Sequence, residues 1–152
     1  MFKYIVGLKI LIISITSSHA ANKQTIESYL NGSRYDKNFE TEYYIYNRCN
    51  AAYATMAAVF EKQGNNAMYL KVKRLAKVIT TKALFIYFKK NKQKIPTDIN
   101  DPVLKKVQAN MLKIQKDWIT FYSNKENLSS ENGKYFVKGI ALKDIKFCNQ
   151  IK

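Results

Sequence analysis

Few side chains in this chain can do chemistry: two cysteines, Cys49 and Cys148, one histidine, His19, and eleven carboxylates among 152 residues. Ser-His-Asp and Cys-His catalysis, histidine metal sites and histidine pH switches all need imidazole. His19 lies in a segment that reads as a removable leader, so the mature chain is expected to lack all of these. Two thiolates cannot build a metal cage, and neither a metal nor a cofactor is expected. An even cysteine count in an exported chain points instead to a disulfide, and Cys49 with Cys148 is the single pairing available. Arg48 directly precedes Cys49 and Asp144 stands one helical turn before Cys148, which predicts an Arg48 to Asp144 salt bridge beside the bond. Five glycines, with Gly32 and Gly64 as single loop positions, supply no phosphate-cradling loop.

These residues must be carried by elements, and the chain begins with one that is expected to leave. Lys3 and Lys9 flank a short apolar segment, Ile10 to Ile15 extends it, and Ser18-His19-Ala20 offers small residues where a signal peptidase reads. Residues 1–20 are therefore predicted to be a signal peptide cut after Ala20, with an uncleaved anchor as the alternative. No later segment is apolar enough to span a bilayer, which takes about 20 residues. Residues 21–37 read as a flexible polar arm with a short helical turn around Ile26 to Leu30, and residues 38–152 as one domain.

The domain is organised around Phe39 to Phe60. At 100° per residue Phe39, Tyr43, Tyr46, Cys49, Tyr53, Met56, Ala57 and Phe60 share about 140° of arc, and Ala51, Ala54 and Ala58 flank that stripe. A central helix packed on more than one side is predicted, with Cys49 inward and its aromatics filling core. Gly64 ends it. A second helix, about 67–92, carries Met68, Val72, Leu75, Ile79, Ala83 and Ile86 on one face. Its C-terminal half also shows Leu84, Phe85 and Phe88, a patch either covered by the C-terminal helix or left as an interaction surface.

Asp101-Pro102 is a cap followed by proline at the first helical position. Beyond it Leu104, Val107, Met111, Ile114, Trp118 and Phe121 recur at spacings of three and four, opposite Lys105, Lys106, Lys113 and Lys116. That lysine row is the predicted contact for an anionic partner. Residues 123–133 read as a polar loop containing a glycosylation acceptor pattern at Asn127-Leu128-Ser129, and residues 135–151 as a helix. A strand at Tyr135 to Val137 finds no partner in this reading. The expected fold is all-α, a single small bundle of about four helices whose C-terminal helix is linked to the central helix by the disulfide.

Charge bounds the partners. The chain has 26 basic residues and a formal net charge of +15, but only Arg34, Arg48 and Arg74 are arginine. Phosphate and base readout favour guanidinium forks, so nucleic acid is not expected. An unknown protein or an anionic envelope surface is, and the sequence sets no oligomeric state. A basic, exported, all-α chain of this size invites comparison with peptidoglycan-cleaving muramidases, in which a carboxylic acid of raised pKa transfers the proton. Glu27-Ser28 resembles the Glu-Ser pair of lytic transglycosylases, but here it falls in the arm and no glycine-rich motif follows. The expected function is thus an exported, periplasmic or secreted, noncatalytic binding or inhibitory module of the cell envelope. A muramidase-like enzyme is the alternative, and a structural component without a specific ligand is the second.

Overall fold

The computed structural model describes residues 23–32 and 39–151. The proposed leader, its cleavage site and residues 33–38 of the arm lie outside the described residues. The elements are α1 (Ile26–Gly32), α2 (Phe39–Lys62), α3 (Asn66–Lys90), α4 (Pro102–Tyr122), β1 (Leu128–Glu131), β2 (Lys134–Val137) and α5 (Gly139–Cys148). The fold is a helical bundle with a two-stranded sheet, and the Cys49–Cys148 disulfide links α2 to α5.

α2 is enclosed more completely than its apolar stripe implies. Every residue from Asn47 to Tyr53 is buried, and seven consecutive positions make almost two turns, so neighbours cover the whole circumference there. Ala51 and Ala52 are the close-approach positions: they share a cluster with Phe121 and Tyr122 of α4 and Ala141 and Ile145 of α5. Ala58, expected on that flank, is exposed. The polar residues in this run are satisfied individually. Asn50 Nδ2 donates to Ala76 O of α3 at 3.0 Å, and Asn47 Oδ1 accepts from Gln115 Nε2 of α4 at 2.9 Å.

α2 and α3 form an antiparallel hairpin, since Gly64 takes φ +68° and Asn65 caps α3 by accepting from Met68 N–H. At the start of α4, Asp101 Oδ1 accepts from Val103 N–H at 2.8 Å and Leu104 N–H at 3.0 Å, with Pro102 in the first turn. Leu104, Val107 and Met111 then bury against Ala83 and Phe88 of α3.

Three expectations need correction here. The polar stretch 123–133 contains β1, which pairs antiparallel with β2 from Leu128↔Val137 to Glu131↔Lys134 and supplies the partner that the Tyr135 to Val137 strand was thought to lack. The turn is Asn132-Gly133, with φ +48° and +74°, the two positive values that a two-residue hairpin requires.

Around Ile26 the arm is docked rather than loose. Ile26 is fully buried in the cluster around Cys49 and Cys148, and its N–H is bonded to α5.

Asn127 is not available to a glycan in the folded chain. It is buried, Nδ2 donates to Phe121 O at 3.1 Å, and Oδ1 accepts from Ala141 N–H at 3.0 Å, so it joins the end of α4 to the first turn of α5. Gly139 permits that junction: its φ is +57°, and a Cβ there would lie 2.7 Å from Glu126 O and 2.9 Å from Asn127 Oδ1.

Candidate functional site

Two features stand side by side at the meeting of α1, α2, α4 and α5: a sealed polar cluster and, above it, an aromatic groove. The cluster is built on Asp144. Arg48 reaches Asp144 Oδ2 through Nη2 at 2.6 Å and through Nε at 2.9 Å, and Nε also donates to the Tyr122 hydroxyl at 3.0 Å. Tyr122 donates its own proton to Asp144 Oδ2, Ile26 N–H donates to Oδ1 at 2.8 Å, and Arg48 Nη2 also donates to Gln24 O. The guanidinium carbon lies 3.6 Å from the centre of the Trp118 ring. Burial pushes the Asp144 carboxyl above the usual carboxylate range, while Arg48, Tyr122 and the Ile26 N–H pull against it. Burial likewise pushes the Tyr122 hydroxyl far up, so it stays a donor. Four donors converging on two oxygens are the arrangement a carboxylate needs when water is absent.

Arg48 is 1% exposed and Asp144 0%, so this cluster meets no substrate. Its role is to hold four segments together. The Cys49–Cys148 bond, with Cα atoms 5.6 Å apart, crosses between α2 and α5 about one turn away from the ion pair.

The outer face of Trp118 belongs to a groove of about 400 Å3. Tyr43 and Tyr44 of α2 form one wall, and Ile114, Trp118 and Phe121 of α4 form the other. Asn110, Lys113 and Asp117 run along the α4 rim, and Lys23 closes one end with its ammonium 4.3 Å from the Phe121 ring centre. Burial pushes the Tyr43 hydroxyl up to about 12, so it is protonated at neutral pH. That hydroxyl is shielded from water and has no hydrogen-bond partner among the described residues.

The four lysines Lys105, Lys106, Lys113 and Lys116 are all exposed and share about 100° of the α4 surface. Lys113 alone also faces the groove. Leu84, Phe85 and Phe88 do not form one patch. Phe88 is 1% exposed and Leu84 packs beside it, both against Leu104, Val107 and Met111, so α4 rather than the C-terminal helix covers them. Phe85 is 56% exposed and lines a shallower depression with Phe39, Ile86 and Lys90.

Sequence reasoning missed the groove because it assigned Tyr43, Trp118 and Phe121 to the core. The adjacent tyrosines carried a signal, since successive helix positions diverge by about 100° and Tyr43 and Tyr44 cannot share one narrow core stripe. Among the described residues no group of three or more His, Cys, Asp or Glu side chains could hold a metal, and no helix is long and apolar enough to cross a membrane. Comparison with protein-family models, curated proteins and solved structures finds no match.

Proposed function

We propose that this chain is an exported, noncatalytic binding module of the cell envelope, periplasmic or secreted, that meets an anionic surface through the lysine arc of α4. The observation that carries the reading is the state of that arc. Lys105, Lys106, Lys113 and Lys116 are exposed, and the ion pairs found among the described residues, Arg48 with Asp144 and Lys90 with Glu40, use none of them. They ride on a helix whose opposite face is fixed by Leu104, Val107 and Met111, so the charges are presented on a rigid rod. A noncatalytic role fits the placement of the buried carboxylate, Asp144, which is sealed from solvent and already holds four donors. Glu27, the residue a muramidase reading would use, lies exposed on α1, outside the groove.

Binding to vesicles containing phosphatidylglycerol tests the surface reading. Glutamine at all four α4 positions is expected to weaken association by about tenfold or more, because each lysine near an anionic surface contributes about 1 kcal/mol before screening. Glutamine at the exposed Lys134, Lys138, Lys143 and Lys146 should weaken it much less. Equal losses would leave net charge as the whole effect. Clearing of a peptidoglycan suspension would replace the binding reading with the enzymatic one.

Export is tested separately. Intact mass of the protein recovered from the envelope fraction should correspond to a chain starting at Ala21, and a mass retaining residues 1–20 would mean anchoring instead.

A further inference from the structure

The groove between α2 and α4 has the construction of a small-ligand site. Its volume of about 400 Å3 falls within the range of ligand pockets, roughly 300–1,000 Å3, and it combines apolar walls with a few polar groups at the rim. The walls are rigid: Trp118 is stacked on Arg48 from behind and set edge-on to Tyr44 at 6.3 Å. Such walls suit a flat or extended apolar body.

The rim selects the sign of the ligand's charge. Lys23 and Lys113 face Asp117, which leaves an excess of one positive charge, and neither lysine enters an ion pair among the described residues. A cationic ligand would meet Lys23 already seated over the Phe121 ring, and like charge at the rim would repel it. Tyr43 contributes its ring to the wall, while its hydroxyl is turned into the protein beside Tyr87 and Asn47 and is sealed from the groove.

We infer that this groove binds a small amphipathic anion, a single carboxylate or phosphate on an apolar body, with the head at Lys113, the body against Trp118, Ile114 and Tyr44, and Lys23 adding positive charge at the other end. The chemistry is shared by free amphiphiles and by lipid headgroups, and the inference goes beyond surface association because only one α4 lysine takes part.

Trp118 is the only tryptophan in the chain, so its fluorescence reports on the groove directly. The full-length mature protein is titrated with decanoate below its micellar concentration, with decanol and decyltrimethylammonium as neutral and cationic counterparts, and with phosphatidylglycerol vesicles. The expected result is a saturable change with decanoate, at least about tenfold weaker in Lys113→Glu and unaltered within about twofold in Lys105→Glu. Both substitutions are on exposed positions, and matched melting curves establish that both variants are folded.

Equal affinity for decanol or decyltrimethylammonium would overturn the charge assignment. Equal weakening by the two substitutions would overturn the site. Vesicle binding without decanoate binding would overturn the groove while leaving surface association by α4 standing. Decanoate binding without vesicle binding would do the reverse, and would identify the ligand as a free amphiphile.

Discussion

Asp144→Ala should destabilise the protein by about 3–5 kcal/mol, a large part of the roughly 5–15 kcal/mol that holds a domain of this size together. The loss comes less from the missing attraction than from what is left behind. Arg48 would remain 1% exposed with its charge uncompensated, and the Tyr122 hydroxyl and Ile26 N–H would lose their acceptor. Urea unfolding gives the free energy, and a second readout isolates the cause. Ile26 N–H donates to Asp144, so α1 should become sensitive to limited proteolysis before the rest of the chain. A loss below about 1 kcal/mol would show that water replaces the carboxylate and that the cluster is not sealed.

The paired substitution Arg48→Met with Asp144→Leu should be milder than either single change, because it removes both charges at once. It should not be neutral, since Gln24 O and the Tyr122 hydroxyl lose the Arg48 donor and Trp118 loses the guanidinium beneath it.

How legible all this was in the sequence depends on whether a feature is local. The Asp101-Pro102 start of α4, the Gly64 turn and the spacing of Leu104, Val107 and Met111 are fixed within a turn or two of helix, and they read directly. The β-hairpin was also local, and Asn132-Gly133 between Leu128 and Val137 announced it. The first strand is nonetheless masked, because β1 is Leu-Ser-Ser-Glu, with no hydrophobic alternation to mark it. Ile26 could not be placed from its neighbours. Its burial depends on Asp144, 118 residues away, presenting an oxygen to its N–H. The groove was illegible for a different reason. Phe121 lies at the edge of the α4 core stripe nearest the lysine arc but Trp118 lies at its centre, and periodicity cannot distinguish an aromatic that fills a core from one that walls a cleft.

Replacing Cys49 and Cys148 together by alanine should cost about 4 to 5 kcal/mol, the largest effect expected of any change here. The two residues are 99 apart in sequence, and in the chain-entropy account a cross-link of that span destabilises the unfolded chain by about 4 to 5 kcal/mol through lost loop entropy. α5 has little else to hold it. It is 10 residues long, lacks a side-chain cap of its own, and buries only Ala141, Asp144, Ile145 and Cys148. Ordering those residues costs about 1–2 kcal/mol each in backbone entropy alone. Both cysteines are fully buried, so a reductant should not reach the bond in the native protein, and reduction should follow unfolding as denaturant is added. Without the bond, the Arg48 and Asp144 pair is the main remaining tie between α2 and α5, and combining the cysteine changes with Asp144→Ala should abolish cooperative unfolding altogether. Because both ties close the same contact, their losses should not add independently, and a double-mutant cycle measures the coupling. Nonreducing peptide mapping of the native protein should recover the Cys49 and Cys148 peptides covalently joined. Free thiols at both positions, or a linkage between two chains, would mean that the Asp144 cluster, the Asn127 bond to Ala141 and packing against Ala51, Ala52 and Tyr122 keep α5 in place without it.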